Sequence, residues 1–380
     1  MHIVHTVSSV SSEAAGTSYV VPRLCQTLAE LGNEVDLLSL GTPGAAVDEN
    51  YKHTSFQVNF DSVALFQKLG ISSAMRSALL KSDGEIFHSH GLWMMPNIYP
   101  AQVSRKSNRP FVLSPHGMLA PKALEISKNR KRVFGTVFQR QALRTTTVFH
   151  ATSELEFESI RAFGLSQPVA IIPNGVDIPE AGHAGRGKAR KTVLYLGRIH
   201  PIKNLETLLA AWKTIQHDHD DWSLTICGTG EPDYIQQLQQ LMTTLKLDRA
   251  VISDPVYGSA KQVLYEQAEL YVLPSKSENF AMTVAESLAC GTPVISTKGA
   301  PWAGLESNGC GWWVDHGVEP MVTVLQNAMS LSAKHRQAMG HRGRDWMAAD
   351  FSWEAISRQM LEVYQWAIAG GNPPESIRLD

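Results

Sequence analysis

The sequence lacks several features that would place a protein in a class at once. Its 380 residues contain no run of about 18 apolar residues, so no segment predicts a helix that spans a bilayer. The N-terminal MHIVHTVSS has no basic stretch followed by an apolar one, which argues against a signal peptide. The four cysteines lie far apart without a CxxC pair, so neither a disulfide framework nor a zinc site is predicted. A reduced, cytoplasmic protein is expected.

A strong net charge is also absent. The formal charge of −2 and the pI of about 6.7 exclude a chain-wide nucleic-acid footprint. Residues 101–150, however, hold ten Lys or Arg and one acid, Glu125. Within residues 122–144 the basic side chains alternate with apolar ones, and at a helical period Phe134, Val137, Phe138 and Gln141 would share a stripe. This segment is either a surface helix docked on its own domain or an interfacial helix that meets anionic lipid head groups or a diphosphate-linked acceptor.

The chain does contain strand–helix alternation, and it contains it twice. HIVHTVS, EVDLLSL, GEIFHSHGLW, PFVLSPHG and TVFHATS are typical of short buried strands in the first half, and TVLYLGR restarts the pattern after a polar, small-residue linker near 174–191. Alternation with apolar, β-branched strands predicts an α/β protein with two parallel sheets, each covered by helices on both faces. Ligands are then expected in the cleft between two such domains.

Common catalytic and cofactor motifs are missing. The nearest match to a dinucleotide fingerprint is GTGEPD at 228–233, which lacks the third glycine. Walker A, HExxH and GxSxG sequences do not occur. The HSH at 88–90 would direct two imidazoles to one side of a strand, but it has no third ligand nearby in sequence. No metal site is therefore predicted.

The most informative stretch is LPSKSENFAMTVAESLACGTPVISTKG, at 273–299. A strand is expected to end before a loop that carries Glu278, and a helix that holds Glu286 is expected to begin near Met282. Backbone amides of residues 279–283 would then lie at the N-terminus of this helix, and a helix N-terminus binds anions such as a diphosphate. Two alternatives remain open, since Glu278 could cap that helix and Glu286 could form a salt bridge on its face.

This stretch closely resembles the Glu-x7-Glu signature of glycosyltransferase family four, retaining enzymes with the GT-B fold of two Rossmann-like domains around a central cleft. The resemblance covers nearly the whole chain. It includes LGRIHPIKN (phosphate-binding segment), IIPNGVD (linker), GTG at 228–230 and PVYG at 255–258 (nucleotide loops), SPHGMLAPKAL (sugar-facing loop) and FSWEAISRQMLEVYQW (C-terminal helix). It implies an acceptor-binding domain at 1–175, a nucleotide-sugar domain at 176–355 and a helix at 356–380 that crosses back.

Roles follow from the resemblance. Glu278 would accept hydrogen bonds from the donor sugar, and Glu286 would hold the ribose. Arg198 and Lys203 would bind the diphosphate, where fixed cations stabilise the charge that develops on the leaving group. His116 would lie near the donor sugar and the anomeric carbon. Each residue also has a plainer interpretation: the two cations could be surface charges, and the histidine could be structural.

The same resemblance supplies further contacts. The expected donor-binding positions are completed by Gly16, Gly228, Val256, Tyr257, Asn279, Phe280, Ala281 and Met282. The family usually shows two glycines at the first of these, where this chain has Ala15–Gly16. On the acceptor side we expect His90 and Lys122, although His90 could equally support its loop.

The predicted function is a retaining, metal-independent hexosyl transfer from a nucleotide-diphospho-sugar of the UDP or GDP type, without a further cofactor. The expected acceptor is a saccharide, in particular an oligosaccharide on a polyprenyl diphosphate used in surface-polysaccharide assembly. Segment 122–144 would then contact the inner membrane face, and no nucleic-acid partner is expected. A nucleotide-sugar 2-epimerase and a non-catalytic nucleotide-sugar-binding protein are the alternatives.

Overall fold

The computed structural model describes residues 1–10, 16–41, 50–60, 62–180 and 190–380. The chain forms two compact units. Unit 1 comprises Met1–Gly175 and Trp353–Asp380, and unit 2 comprises Val176–Ser352. Each unit has its own buried apolar core, so each is described by itself.

Unit 1 is built on an eight-stranded sheet of order β14-β7-β6-β5-β4-β1-β2-β3. Its strands are parallel except for the short last strand, which pairs antiparallel with β7. The central strands are buried along their whole length, as expected for a sheet covered on both faces. Its elements are β1 (His2–Val7), α1 (Gly16–Glu30), β2 (Glu34–Leu40), β3 (Lys52–Phe56), α2 (Ala64–Leu69), α3 (Ser73–Lys81), β4 (Ile86–His90), α4 (Tyr99–Ser107), β5 (Phe111–Ser114), α5 (Pro121–Glu125), α6 (Lys128–Phe134), α7 (Arg140–Thr145), β6 (Val148–Ala151), α8 (Glu154–Ala162), β7 (Val169–Ile171), α16 (Trp353–Ala369) and β14 (Ile377–Arg378).

The C-terminal helix α16 belongs to unit 1, although unit 2 separates it from the rest in sequence. It packs on α1, where the rings of Tyr19 and Trp353 meet at 6.2 Å. A Cβ on Gly175 would lie 2.4 Å from the Trp353 indole, so only glycine lets the chain pass there. Burial of Trp353, Met360 and Tyr364 fixes the helix on the sheet.

Unit 2 carries a six-stranded parallel sheet of order β10-β9-β8-β11-β12-β13. Its core combines the β-branched and aromatic residues of these strands with the apolar faces of the surrounding helices. Its elements are β8 (Lys191–Leu196), α9 (Leu205–Ile215), β9 (Trp222–Cys227), α10 (Pro232–Thr244), β10 (Ala250–Ser253), α11 (Gly258–Gln267), β11 (Leu270–Leu273), α12 (Met282–Ala289), β12 (Val294–Thr297), α13 (Gly304–Ser307), β13 (Gly311–Val314), α14 (Val318–Ser330) and α15 (Ala333–Asp350). The α/β class with two parallel-sheet domains is thus confirmed.

The basic segment departs from the predicted single helix. A π-helical turn at Gly135–Gln139 separates α6 from α7 and advances the chain by one residue relative to an α-helix. Phe134 before this turn and Gln139 at its end are buried, whereas Val137 within it is 61% exposed. The predicted apolar stripe is therefore wrong in its phase. In the residues that the structure describes, no helix is long and apolar enough to cross a bilayer.

Candidate functional site

In unit 2 the loops after β8 and β9 lie against each other. The amide of Ile199 donates to the carbonyl of Thr229 at 2.7 Å. A Cβ on Gly228 would lie 1.8 Å from the carbonyl oxygen of Gly197, and one on Gly230 would lie 2.2 Å from that of Ile199. The two glycines are thus required by this close approach of backbones. The loop pair brings residues 197–203 to the carboxyl end of the sheet.

Lys203 and Glu278 meet at this end of the sheet. Lys203 closes a 3₁₀ turn at Pro201–Lys203, and its ammonium donates to Glu278 Oε1 at 2.5 Å. Both side chains are largely buried, at 16% and 12% exposure. The Glu278 amide donates to the Gly299 carbonyl at 2.7 Å, which holds the loop after β11 in place. Neither residue is a loose surface charge, and Glu278 does not cap the following helix.

Helix α12 begins four residues after Glu278. Its N-cap is Ala281, which has the left-handed φ of 69° and offers no side-chain cap to the helix. Thr283 Oγ1 in the first turn lies 2.7 Å from the hydroxyl of Tyr271, which also lies 3.1 Å from the Leu196 carbonyl. Burial raises the pKa of Tyr271, so this anchor stays a neutral hydroxyl. The helix start predicted near Met282 is confirmed, and its dipole favours an anion.

Arg198 lies in the same loop as Lys203. The carbonyl of Arg198 accepts a 2.7 Å hydrogen bond from Tyr195, while its side chain is exposed and pairs with no acid among the described residues. His200 lies between the two cations in sequence. Its pKa is lowered by partial burial and then by the positive charges of Arg198 and Lys203. The charges of Arg198 and Lys203 therefore both reach the His200 ring.

Glu286 is held by helix α11. Lys261 donates to its Oε1 at 2.5 Å, and the buried hydroxyl of Tyr265 donates to its Oε2 at 3.0 Å. Burial raises the pKa of Tyr265, and the Glu286 carboxylate raises it further. Sequence reasoning left a salt bridge on the helix face as an alternative for Glu286. The structure contains that salt bridge, and it leaves the ribose contact a prediction.

The remaining expected donor contacts of unit 2 differ in their surroundings. Phe280 is buried against Trp302, whose indole donates to the Phe280 carbonyl at 2.5 Å, so this residue supports the core. Val256 packs against the core of unit 2, whereas Tyr257 is 47% exposed at the N-cap of α11. Asn279 lies in the loop before α12.

In unit 1 the loop after β5 carries His116. Its backbone has a left-handed φ of 51°, and Gly117 follows with 75°. Glu156, the third helical residue of α8, fixes this turn from within the protein. Its Oε1 accepts from the Gly117 amide at 2.6 Å, and its Oε2 accepts from the amide and hydroxyl of Thr152 at 2.8 and 2.9 Å. The half-buried His116 thus lies on a strained backbone, and the hydrogen bonds of Glu156 stabilise the turn that contains it.

A layer of buried histidines lies behind His116 on the sheet of unit 1. The register of the strands sets His5 of β1 opposite His88 of β4, and His90 opposite Ser114 of β5. His5 Nδ1 lies 2.9 Å from His90 Nε2, and His90 Nδ1 lies 3.0 Å from His116 Nε2. These three imidazoles form one hydrogen-bonded chain, which we call the imidazole chain.

A second hydrogen-bonded chain passes beside it. His88 Nδ1 lies 2.6 Å from the hydroxyl of Tyr364 on α16, and His88 Nε2 lies 2.6 Å from Ser114 Oγ. Ser114 Oγ in turn lies 2.7 Å from His150 Nδ1, and His150 Nε2 lies 2.8 Å from the carbonyl of Ile172. We call this set the crossing chain. It ties the C-terminal helix to the sheet.

Burial keeps these imidazoles neutral. Desolvation lowers the pKa of His5 to about 3 and that of His116 to about 4, and it lowers those of His88, His90 and His150 as well. Neighbouring imidazoles lower most of these values further, while Glu156 raises those of His116 and His150. At neutral pH the layer therefore carries no positive charge.

Three of these histidines could suggest a metal centre. Sequence reasoning found no third ligand for His88 and His90, but the fold brings in His5, and the three ligand atoms lie within 4.8 Å of one another. Both nitrogens of His88 and both nitrogens of His90 already have hydrogen-bond partners. The layer fits a hydrogen-bond network better than a cation site, because His5 Nε2 alone lacks a partner among the described atoms.

The structure places the other expected residues of unit 1 as follows. His90 is 2% exposed and lies inside the imidazole chain, so its side chain supports a loop and does not line a surface. Gly16 is the first residue of α1, and a Cβ there would meet no atom within 4 Å. Lys122 is exposed on α5. The preceding Ala15 lies outside the described residues.

Sequence reasoning weighed His88 only as a metal ligand, and it missed other residues that hold the candidate side chains of each unit. They are His5, His150, Glu156 and Tyr364 in unit 1, and Lys261 and Tyr265 in unit 2. One signal was available, since histidines recur near the ends of three predicted strands in HIVHTVS, GEIFHSHG and TVFHATS. The ends of adjacent parallel strands meet at one edge of a sheet, so these side chains should have been expected to cluster.

Comparison with known proteins assigns both units to one kind of enzyme. Residues 14–180 match the family model "Glycosyltransferase Family 4", and residues 181–346 match "Glycosyl transferases group 1". The chain is 30% identical over 203 residues to a D-inositol 3-phosphate glycosyltransferase of Salinispora tropica, a match that covers 51% of this chain and 40% of that protein. It is 24% identical to D-inositol 3-phosphate glycosyltransferase 2 of Catenulispora acidiphila, over 94% of this chain and 91% of the relative.

Solved structures agree on the fold. Sucrose-phosphate synthase from Thermosynechococcus elongatus superposes with a TM-score of 0.77 at 21% identity, covering 97% of this chain and all of that one. Anabaena HepE in complex with UDP and glucose gives a TM-score of 0.74 at 18% identity, covering 96% and 99%. Taken with the two family models, which together span residues 14–346, these matches show that the chain belongs to glycosyltransferase family four and has its two-domain GT-B fold.

Proposed function

We propose that the protein is a retaining glycosyltransferase that moves a hexosyl group from a nucleotide-diphospho-sugar to a hydroxyl of a saccharide acceptor. The observation that carries this proposal is the 2.5 Å pair of Lys203 and Glu278 beside the uncapped start of α12. A cation, a fixed carboxylate and the backbone amides of a helix start are groups that bind a sugar diphosphate.

The ion pair of Lys203 and Glu278 leaves hydrogen-bond donors and an acceptor available for a ligand. Lys203 uses one of its three N–H donors on Glu278 Oε1, and among the described residues no donor reaches Oε2. That second oxygen can accept hydrogen bonds from sugar hydroxyls, while the remaining donors of Lys203 and the guanidinium of Arg198 can bind phosphate oxygens. The structural neighbour Anabaena HepE forms complexes with UDP and glucose and with UDP-glucose, which supports a donor of this class.

In the proposed reaction the bond between the anomeric carbon and the diphosphate oxygen breaks, and a bond to the acceptor oxygen forms on the same face. The acceptor proton passes to the departing diphosphate. Arg198, Lys203 and the first amides of α12 stabilise the charge that develops on that leaving group. Glu278 orients the sugar, and a role of His116 near the anomeric carbon stays the prediction that the family resemblance gives.

The first test is a thermal-shift panel of UDP-, GDP- and ADP-sugars. A donor at 100 times its Kd adds about 2.7 kcal/mol of stability, so the cognate nucleotide should be distinct from the others. Incubation of the stabilising donor with saccharide acceptors should then yield a product whose anomeric configuration, measured by NMR, equals that of the donor. An inverted product, or an epimerised sugar formed from donor alone, would contradict the proposal.

We further propose that the acceptor is lipid-linked and that the protein meets it at an anionic membrane surface. This contact is assigned to the basic segment at residues 122–144. Its exposed cations are Lys122, Lys128, Arg130, Arg132, Arg140 and Arg144, and its exposed apolar residues are Ile126, Val133, Val137 and Phe138. Cations interspersed with exposed apolar side chains are the pattern that binds anionic head groups.

Vesicle sedimentation tests the membrane contact. The variant Lys128→Glu/Arg130→Glu/Arg132→Glu should bind phosphatidylglycerol vesicles at least about 100-fold more weakly at low salt, since each cation near the surface contributes about 1 kcal/mol. Lys131 is left unchanged, because its ammonium donates to the Ala123 carbonyl. The matched control Lys68→Glu/Lys81→Glu/Lys106→Glu changes the same charge elsewhere on unit 1 and should bind normally. An equal loss of vesicle binding in both variants would show that net charge alone causes the effect, and it would contradict a specific membrane contact.

A further inference from the structure

The imidazole chain leaves one question open, namely which nitrogen of His116 carries the proton. The answer decides whether this residue offers a substrate a hydrogen-bond donor or a lone pair. His116 meets the chain through Nε2, so its Nδ1 is the ring nitrogen left for a ligand. The two buried members behind it, His90 and His5, determine the choice.

The crossing chain runs in one direction only. The Ile172 carbonyl can only accept, so His150 carries its proton on Nε2 and its Nδ1 must accept from Ser114. The Ser114 hydroxyl then accepts from Nε2 of His88, and His88 Nδ1 accepts from Tyr364. Every polar atom of this chain is satisfied with both histidines neutral. His88 therefore has no valence left to affect the imidazole chain.

The imidazole chain could run in either of two directions. If His116 donated from Nε2, His90 would have to donate to His5, and His5 would carry its proton on Nε2. That nitrogen is buried and has no partner among the atoms that the structure describes, so the arrangement would bury an N–H without an acceptor there. In the opposite direction the same nitrogen keeps a lone pair. An orphaned buried N–H is the rarer defect in proteins, so the second direction is favoured.

We propose that His5 and His90 are positioning residues that hold His116 as the tautomer with its proton on Nδ1. His5 Nδ1 donates to His90 Nε2, and His90 Nδ1 donates to His116 Nε2. The half-buried ring of His116 then presents an N–H donor to an oxygen of the substrate. Because the pKa of His116 is lowered to about 4, this donor stays neutral at pH 7 and orients the substrate without adding a charge. The catalytic consequence rests on the proposed transferase function, whereas the tautomer does not.

The tautomer can be measured without any turnover. Long-range ¹H–¹⁵N correlation spectra of the full chain labelled with ¹⁵N-histidine distinguish protonated from unprotonated ring nitrogens. The His116 signals are identified by their loss in His116→Gln. We expect Nδ1 of His116 to be protonated and Nε2 to be unprotonated at pH 7. The reverse assignment would overturn the proposal, whether or not the protein transfers a sugar.

Two substitutions at His90 separate positioning from mere packing. Asparagine keeps an N–H donor near the Nδ1 position and can still serve His116, whereas glutamine places its amide toward His5 and leaves His116 Nε2 without a donor. We expect His90→Asn to keep the tautomer and a kcat within about threefold, and His90→Gln to lose both, with kcat reduced about 10- to 100-fold and donor KM unchanged. Retention of the tautomer and kcat in His90→Gln would refute the positioning role.

Tyr364→Phe is the matched control, because it breaks the crossing chain at the same depth. It should leave the His116 tautomer unchanged, and a shifted tautomer would mean that the two chains are coupled, contrary to the proposal. A protein that shows the expected spectrum but transfers no sugar from any nucleotide-sugar would refute the proposed function and leave the tautomer assignment intact. If both His90 variants fail to fold, the wild-type spectrum still decides.

Discussion

The two units place histidine in opposite surroundings, although each carries seven of the fourteen in the chain. Unit 1 buries His5, His88, His90 and His150 completely or nearly so. None of the histidines that the structure describes in unit 2 is buried, and His183 lies outside the described residues. The candidate site of unit 2 consists of ion pairs, with Lys203 on Glu278 as the central one.

This difference shows how one sheet architecture supports two kinds of polar chemistry. In unit 1 the polar groups lie within the strands, under a helix, and desolvation leaves them neutral. In unit 2 the pair of Lys203 and Glu278 lies beyond the strand ends, and Lys261 of α11 pairs with Glu286 of α12. Unit 1 thus uses buried, hydrogen-bonded imidazoles, whereas unit 2 uses side chains of opposite sign in direct contact.

Acidification should have the largest effect, because it should destabilise unit 1 and leave unit 2 unchanged. Burial lowers the folded pKa values of five histidines of unit 1, namely His5, His88, His90, His116 and His150, below the ordinary 6.5. Below that pH the unfolded chain therefore binds protons at these positions that the native unit does not. The contribution of these histidines to the free energy of unfolding is fully present above pH 6.5. It falls as the pH drops toward 4, by up to about 1.4 kcal/mol per pH unit for each histidine. Protection of the β1, β4 and β5 amides against hydrogen exchange, corrected for intrinsic rates, should decrease as the pH is lowered from 7 to 5.

The strands β8 and β9 of unit 2 provide the internal reference for this measurement, because no buried histidine lies in them. As a control, His335→Asn/His341→Asn removes two exposed histidines of unit 2 and should leave every profile unchanged. Equal loss of protection in both units would show that the buried imidazole layer is not the cause.

Removal of a charge from unit 2 should have the next largest effect, on activity. Lys203→Met leaves the Glu278 carboxylate unpaired and takes a cation from the proposed diphosphate site. We expect kcat for sugar transfer to fall about 10²- to 10³-fold, as for loss of one group that stabilises a developing anion. Lys191→Met is the control, since it removes a lysine from the exposed pair with Asp221. A comparable loss in the control would argue against a specific role.

Breaking the crossing chain of unit 1 should cost stability and little else. Tyr364→Phe removes the hydroxyl that donates to His88 and leaves a buried acceptor unpaired, which should lower the free energy of unfolding by about 1–3 kcal/mol. Urea denaturation followed by tryptophan fluorescence measures this change. Tyr257→Phe, at an exposed position of unit 2, should be neutral. A neutral Tyr364→Phe would show that the layer needs no donor from α16.

The smallest effect concerns backbone strain, which both candidate sites share. His116 and Ala281 each adopt a left-handed φ that favours glycine. Ala281→Gly should stabilise unit 2 by about 0.5–1 kcal/mol, because relief of about 1–2 kcal/mol of strain exceeds the entropic cost of glycine. Ala210→Gly within α9 should instead lose about 1 kcal/mol. Destabilisation by both substitutions, measured by thermal unfolding, would show that Ala281 is not strained.

Much of the fold could be predicted because it depends on short-range patterns. Apolar strands, amphipathic helices and glycine-rich loops marked two parallel sheets and the start of α12. The basic segment was mispredicted, since periodicity assumes a regular helix and the π-helical turn at Gly135–Gln139 shifts every later side chain. No local signal indicated that Gln139 would be buried and Val137 exposed.

The candidate site divides along the same line. Contiguous motifs were enough to predict the family, the loop that holds Glu278 and the cations at 198 and 203. No contiguous motif contains the contacts of Lys261 and Tyr265 with Glu286, or that of Tyr364 with His88, which are 276 residues apart, so these contacts became visible in the folded structure. Strand register and helix packing bring such partners together, and burial then sets which of them keep a charge.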